Sequence, residues 1–483
     1  MSLKQKAVKG VIWSILESWG SRVITLVVFF ILARLLGPEA FGLVALASVF
    51  VAFIQIFLDQ GLGESIVQRQ NLEPEHLDSA FWMNVGTGLC LSAFGILGAD
   101  WVAGLFKQPE LTPVLRWLSL GFILTSLTSV QEATFRRKLD FRALSVRALV
   151  STLVSGIVGV TMAFAGFGVW SLVGQQLTNI ALRAVLIWSL SNWRPHFRFS
   201  PRHFRELFSF SINLLGIKIL GFVDRRSDDF MIGYFLGPIA LGYYTVAYRI
   251  FLIMIELLTN ISAKVAMPAF SRLQEDPEKL RQAYYQVTQM TALIAFPSFL
   301  GMAALAPELV MTLYGEKWLP TVPVMQVLAF IGLLQSINSF TSIALIAKGR
   351  ADWQLKLSFA SSLFNVIAFS IAVHWGIVAV AGSYTVRGYL LFPVFVYLSQ
   401  KLINIEVLEY LRKFSAPLIA SVAMGLAIFG VKSILGGDVY VTLAVGSLVG
   451  ALAYLIVLQW IEPALVQSAM RMVGSLKKQR KSA

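Results

Sequence analysis

The sequence predicts an all-α polytopic membrane protein with about 14 transmembrane helices: two parallel six-helix lobes around a central cavity, plus two appended helices. Three observations carry this. Apolar windows of bilayer-crossing length recur along the chain, basic residues crowd onto alternate loops, and motifs of the first half return in the second. The composition agrees, with 57% hydrophobic residues, 14% charged residues and a mean hydropathy of +0.72 over 483 residues. A soluble domain carries about 25% charge.

A formal net charge of +14 would suit nucleic acid in a soluble protein. In a membrane protein basic residues mark cytoplasmic loops instead, so no nucleic acid partner is expected. Cys90 is the single cysteine and lies in an apolar run, which excludes an intrachain disulfide and a cysteine-type metal site. His76, His196, His203 and His374 are scattered without ligand spacing, and no metal or cofactor is expected. The start MSLKQKAVKGVIW has the basic flank of a signal peptide. About 25 mostly apolar residues follow without a small-residue cleavage site, so it reads as a retained first span.

Windows of about 20 apolar residues, bounded by Gly, Pro and charge, place the spans. They fall at 11–35, 41–62, 80–104, 113–134, 146–166, 169–190 and 207–236, then at 240–262, 284–306, 321–346, 355–375, 377–400, 414–435 and 440–461. An even number returns both termini to one side. Counting residues at the span edges with the adjoining loops, 28 of the 40 Lys and Arg lie on the side of the N-terminus, 4 on the other (Arg34, Lys107, Arg116, Lys317) and 8 inside spans. One missed span would invert every later loop, so this asymmetry supports the count and makes both termini cytoplasmic. The far-side loops, such as 237–241 and 436–439, are very short, and none of the loops holds a soluble catalytic domain.

The sequence repeats itself. Leu36-Gly37-Pro38-Glu39-Ala40-Phe41-Gly42 returns 200 positions later as Leu236-Gly237-Pro238-Ile239-Ala240-Leu241-Gly242. Lys138-Leu139-Asp140-Phe141 is echoed by Arg350-Ala351-Asp352-Trp353, and Gly168 and Gly174 by Gly376 and Gly382. The echoes divide the first twelve spans into two sixes. An even repeat preserves orientation, which gives parallel lobes related by an axis along the membrane normal. The expected domains are residues 1–195 and 196–410, followed by 411–483 with the two appended spans and a basic cytoplasmic tail.

The segment 207–236 is apolar enough to cross a bilayer yet carries Lys218, Asp224, Arg225, Arg226, Asp228 and Asp229. Intramembrane charge costs several kcal/mol and normally faces a bundle interior or wet cavity. Under the 200-residue offset these acids correspond to the apolar stretch Ile24 to Phe29, and Arg249 and Glu256 to Val49 and Ile56, so the second half supplies most of the polar contacts. Helical spacing puts Lys218, Phe222, Arg225, Asp229 and Ile232 on one face and lets Arg225 reach Asp228 and Asp229, and Arg226 reach Asp229. Mutual neutralisation near the outer interface competes with ligand binding as the role of that cluster. Lys218 and Arg249 lie deeper without a local partner and are the sharper candidates for ligand contact. Glu17, Arg22 and Arg387 are further intramembrane charges, whereas Arg183 and Lys432 are expected to snorkel toward headgroups. Bases outnumber acids within the spans, which suits an anionic ligand held by guanidinium groups. Trp13, Trp19, Phe29, Phe30, Tyr243, Tyr244 and Tyr248 are candidates to stack on sugar rings or to serve as interfacial anchors and core.

These residues resemble the Wzx-type polysaccharide exporters of the MOP superfamily, in the colanic-acid-exporter branch. The resemblance runs from Val8 to about Tyr410. Its motifs are Leu32-Ala33-Arg34-Leu35-Leu36-Gly37-Pro38-Glu39 with Phe41-Gly42, Asp59-Gln60-Gly61-Leu62 with Val67-Gln68-Arg69, and Arg225 with Asp228 before Ile232-Gly233. Leu241-Gly242-Tyr243-Tyr244, Ala247-Tyr248-Arg249 and VAMPAFSRLQ from Val265 to Gln274 complete the set; Arg226 departs from a small polar residue in the family. The resemblance implies two six-helix lobes in a V and a flippase, not an enzyme. Its cargo would be an undecaprenyl-pyrophosphate-linked oligosaccharide carried to the periplasmic leaflet of a bacterial inner membrane, with polysaccharide polymerase machinery as a partner. The sequence contains no GxxxxGK[ST] run, so the expected drive is an H+ or Na+ gradient. Lys218, Arg249, Arg225, Arg226, Arg22 and Arg387 are then candidate substrate contacts, with Glu17, Asp224, Asp228, Asp229 and Glu256 for ion coupling or gating. The alternatives are a cation-coupled drug antiporter, which would want a negative cavity, a lipid II flippase, and a membrane-embedded glycan polymerase or acyltransferase.

Overall fold

The computed structural model describes residues 3–58, 61–468 and 471, and every regular element among them is a helix. Asp59, Gln60 and the basic tail after Arg471 lie outside the described residues, as do the side chains of Lys4, Lys6, Lys9, Arg202 and Arg205. In hydrocarbon a backbone must satisfy its own polar groups, and a helix does so within one segment.

Eleven helices among the described residues are long and apolar enough to span a membrane, or twelve if one bent pair counts as a span. Each of the fourteen expected segments nevertheless lies mainly on helix among the described residues. The difference has two sources. The 22-residue helix Val169–Leu190 lies outside the hydropathy limit, and Lys218–Thr259 is counted once despite its 42 residues. At 1.5 Å per residue that stretch would measure about 63 Å, twice the thickness of a bilayer core. It is broken at Gly237 (φ 83°), which divides Pro201–Arg272 into α9a (201–236) and α9b (238–272).

Packing divides the chain into compact units after Thr245. The first contains α1 (Leu3–Leu35), α2 (Pro38–Leu58), α3 (Leu62–Gln68), α4 (Pro74–Phe106), α5 (Leu111–Ser126), α6 (Ser129–Arg137), α7 (Phe141–Phe164) and α8 (Val169–Leu190), together with α9a and the start of α9b. The repeat boundary at 195/196 concerns internal likeness. Compact packing keeps α9a with the first six spans.

The expected single span 113–134 is instead α5 and α6, bent by 42° at Leu127 and Thr128. The hydroxyls of Ser126 and Thr128 bond back to the carbonyls of Ile123 and Thr125, so local bonds replace the helical ladder at the bend. The bend sends α6 alongside α3. Arg137 then donates through its guanidinium to the carbonyls of Ile66 (2.9 Å) and Gln70 (2.9 Å), and also to that of Arg69. One cation thereby satisfies carbonyls left orphaned at the end of α3.

The second unit holds the rest of α9b, α10 (Pro277–Ala304), α11 (Ala306–Leu313), α12 (Val322–Ala347), α13 (Ala351–Ala372), α14 (Ile377–Ile403), α15 (Val407–Leu435) and α16 (Val439–Ile461). Phe270, from the VAMPAFSRLQ exit, is buried against Tyr284, whose hydroxyl joins those of Thr341, Ser399 and Tyr410. The appended helices α15 and α16 dock on α10 and α11 through a core that includes Leu305, Met424, Ile428 and Tyr454. The repeat survives in backbone detail, since Gly168 (φ 54°) and Gly376 (φ 95°) each precede the helix that closes their half.

Arg137→Ala is expected to lower the stability of the purified protein by about 2 kcal/mol, the scale of a charge-assisted bond to buried carbonyls. Arg137→Lys should recover only part of it, because an ammonium lacks the planar fork. Thermal unfolding in detergent measures both.

Candidate functional site

The two Leu-Gly-Pro turns meet. A methyl group built on Gly42 would lie 1.7 Å from the carbonyl oxygen of Pro238, and one built on Gly242 would lie 2.0 Å from that of Pro38. The approach is reciprocal and backbone to backbone, so neither glycine tolerates any side chain without a shift. It extends one turn deeper, where a methyl on Gly233 would strike Leu46 at 2.1 Å. Small residues are how membrane helices approach this closely. The motif recognised as a repeat is therefore also a mutual contact, with α1–α2 against α9a–α9b.

Just beneath this contact sits the charged run of α9a. Asp228 and Asp229 are both buried, at 4% and 6% exposure. Tyr244 donates its hydroxyl to Asp228 Oδ2 at 2.9 Å, and Asp228 Oδ1 accepts the Asp229 N–H at 2.9 Å. The Asp228–Tyr244 bond ties α9a to α9b across the Gly237 break. Arg226, not Arg225, pairs with an acid, its Nη1 lying 2.9 Å from Asp229 Oδ2. Arg225 and Asp224 are exposed, and the pairing expected of Arg225 with Asp228 and Asp229 is not made. Both acids are already engaged, Asp228 by Tyr244 and Asp229 by Arg226, and Arg225 stays exposed although it shares a face with Phe222, Asp229 and Ile232, where Phe222 packs on Phe53 (5.4 Å).

Lys218 is half-buried and is engaged by a neighbour, which corrects the expectation that it stands unpaired. Arg22 is likewise half-buried and engaged. Glu17 accepts from Ser145 Oγ at 3.4 Å and lies within electrostatic reach of Arg183, together with Glu132 and Arg147. Arg183 itself is exposed on α8. Lys432 does not snorkel: its Nζ pairs with Glu308 Oε2 at 2.7 Å. In the second unit Arg249 and Glu256 are exposed on α9b and both are engaged, with Arg249 in reach of Tyr314. Arg387 lies over the Tyr384 ring at 4.8 Å and donates to the Ser361 carbonyl at 3.4 Å, while its Nε is buried without a hydrogen-bond partner.

The aromatic candidates separate as well. Tyr244 is fully buried and spends its hydroxyl on Asp228, and Phe29 packs edge-on against Phe41 at 5.6 Å, so both are core and not sugar platforms. Trp19 is exposed, Trp13 lies under Arg142 at 5.6 Å, and Tyr248 contacts Tyr384 at 6.3 Å. Two functional features escaped the sequence reading: Tyr244 as the donor to Asp228, and Gly42 and Gly242 as each other's contact. The Leu-Gly-Tyr-Tyr run signalled the first, in that a tyrosine two turns past a break reaches back to the preceding helix.

A polysaccharide biosynthesis protein family profile matches residues 31–323. The chain is 27% identical over 464 residues to the teichuronic acid biosynthesis protein TuaB of Bacillus subtilis, covering 95% of this chain and 96% of the relative. It is 28% identical over 376 residues to the lipopolysaccharide biosynthesis protein WzxC of Escherichia coli, covering 77% and 75%. It is 27% identical over 487 residues to the succinoglycan biosynthesis transport protein ExoT of Rhizobium meliloti, covering 97% and 96%. Among solved structures, the lipid II flippase MurJ in an inward closed conformation aligns with a TM-score of 0.77 at 16% identity, over 94% of this chain and all of that one. An inward-facing multidrug transporter of the MATE family gives 0.60 at 18% identity, over 82% of this chain and 96% of that one.

With Cys90 replaced by alanine, a cysteine at position 46, which is fully buried as Leu46, should resist a membrane-impermeant thiol reagent. Adding Gly42→Ala or Gly242→Ala should expose it and raise labelling about tenfold, since the backbones must then separate. Labelling that stays unchanged would show the turns to be loosely packed.

Proposed function

The chain belongs to the polysaccharide biosynthesis protein family, as a Wzx-type member of the MOP superfamily, and from that membership we propose that it is a flippase. It moves an undecaprenyl-pyrophosphate-linked oligosaccharide from the cytoplasmic to the periplasmic leaflet of a bacterial inner membrane. The observation that carries the reading is a family match over residues 31–323 on a chain that aligns nearly end to end with exporter and biosynthesis proteins. The fold shared with MurJ supports alternating access as the manner of transport. The 28 to 4 distribution of basic residues supports cytoplasmic termini.

For the substrate, the pyrophosphate is the strongest handle, and guanidinium and ammonium groups are its chemical complement. We assign that role to Lys218 and Arg22 on the first unit and to Arg249 and Arg387 on the second. Arg226 has a smaller claim because Asp229 already holds it, and Arg225 a larger one because it is exposed. For coupling, Asp228 is the first choice among Glu17, Asp224, Asp228, Asp229 and Glu256. Its carboxylate is buried and held by neutral donors, whereas Asp229 has Arg226. A proton or sodium ion taken up there would act directly beside the contact of the two turns. Polymerase machinery would receive the product.

Lys218→Ala and Arg249→Ala are each expected to leave the protein in the membrane while cutting surface polysaccharide about tenfold, the loss of one charge-assisted bond. Lipid-linked intermediate should accumulate inside the cell. In proteoliposomes, collapsing both the proton and sodium gradients should slow transfer by the wild type, and Asp228→Asn should remove that response. Normal polymer from both cation variants would take Lys218 and Arg249 out of the site, and transfer indifferent to both gradients would refute antiport.

A further inference from the structure

The charged run on α9a and its partners leave one part of the first unit unexplained. A half-open cavity of about 360 Å³ lies where the end of α2, all of α3, the third turn of α4 and the α5–α6 bend come together. That volume is within the range of small-ligand pockets. Following α2 from its Gly37 end to Leu58 places the cavity at the end of the unit opposite the reciprocal glycine contact.

Its lining does not suit the pyrophosphate. Three amides, Gln55, Gln68 and Asn84, face it together with the hydroxyl residues of the bend. The charges are Glu64, Glu132 and Arg136, and Glu132 is already neutralised by Arg136 at 3.0 Å and Arg147 at 3.2 Å. Glu64 is exposed and makes no ion pair among the described residues, so the two acids and the two arginines around the cavity balance, and both arginines are held by Glu132. An anion finds no unpaired cation there. A polyhydroxylated ring, by contrast, offers donors to a carboxylate and both donors and acceptors to amides. Asn84 adds an independent sign of a ligand: it is 3% exposed, and its Nδ2 is a buried donor with no partner. Such a group costs about 1–3 kcal/mol unless something accepts from it.

The cavity is held open by a small pair. A methyl on Gly63 would meet only the Ala133 methyl, at an ordinary 3.9 Å, so anything larger at position 63 must turn into the cavity. Its wall is fixed in place because Arg137 grips the carbonyls at the end of α3.

We propose that this cavity is a subsite for a neutral, hydroxyl-rich sugar of the lipid-linked substrate, engaged on loading and separate from the cationic contacts to the pyrophosphate. Glu64 and Gln68 accept from and donate to ring hydroxyls, and Asn84 completes the set from the cavity floor. The assignment rests on the flippase reading and adds to it a place where the glycan, and not the lipid, is selected.

The test uses the full chain in detergent, titrated separately with the repeat-unit oligosaccharide released from the host's surface polysaccharide and with undecaprenyl phosphate. Binding is followed by tryptophan fluorescence, to which Trp188, bonded to the Leu127 carbonyl at the bend, should contribute. The wild type should bind both probes. Gly63→Leu should weaken the oligosaccharide at least tenfold and leave undecaprenyl phosphate unchanged. The pair Glu64→Gln with Gln68→Ala, at exposed positions that do not threaten folding, should do the same. Oligosaccharide bound equally by all variants, or not bound by the wild type, overturns the subsite. A wild-type gene that fails to restore surface polysaccharide to a deletion strain overturns the flippase reading instead; restoration together with unaltered oligosaccharide binding in the variants overturns the subsite alone.

Discussion

Everything distinctive in the first unit is organised by the absence of two side chains. Gly42 and Gly242 let the Pro38 and Pro238 turns touch through their backbones, each glycine lying against the other turn's proline carbonyl. Packing this close is short-ranged: a separation of an ångström forfeits much of its dispersion energy, so the contact is either made or lost. We propose that this contact, built from the corresponding turns of an internal repeat, is the gate of the alternating-access reading. The turns also fix what lies beneath them. The Gly237 break doubles the chain back, Tyr244 returns to Asp228, and a carboxylate is thereby buried at the base of the contact.

The same arrangement divides the labour of recognition along the unit. Near the glycine contact the polar groups are carboxylates and arginines on α9a. At the far end, the α5–α6 bend and the short helix α3 make a pocket of amides and hydroxyls with a single unpaired acid. An anionic lipid carrier joined to a neutral glycan has the same two chemistries in one molecule. Within the first unit, Lys218 and Arg22 are the cations proposed for the first, and Glu64, Gln68 and Asn84 the groups proposed for the second.

Much of the architecture was legible in the sequence because the bilayer imposes one rule on every span. Apolar length placed the fourteen segments mainly on helix among the described residues, and the repeat motifs returned as matching backbone features at Gly168 and Gly376. Pairing was less legible. Spacing along α9a allowed either arginine to serve the acids, and only the folded chain shows that Arg226 takes Asp229 while Tyr244 takes Asp228. From position alone neither Arg183 nor Lys432 shows its acids, yet Glu132 and Glu17 lie within electrostatic reach of Arg183 and Lys432 meets Glu308. Those partners lie on other helices, tens to more than a hundred residues away, where periodicity carries no information. The bend at Leu127 was hidden for a different reason: its cause is a pair of hydroxyls bonding backward within an otherwise apolar window.

The proposed gate requires that the contact of the two glycine turns open and close. Spin labels at Glu39 and Ile239, both exposed beside it, report this directly by pulsed electron–electron distance measurement on the Cys90→Ala protein in lipid nanodiscs. A short distance is expected in the resting protein, with a second, longer population once lipid-linked oligosaccharide and an ion gradient, or Asp228→Asn, shift the equilibrium. One unchanging short distance under every condition would mean that the contact is a permanent weld, and the gate would have to be sought elsewhere.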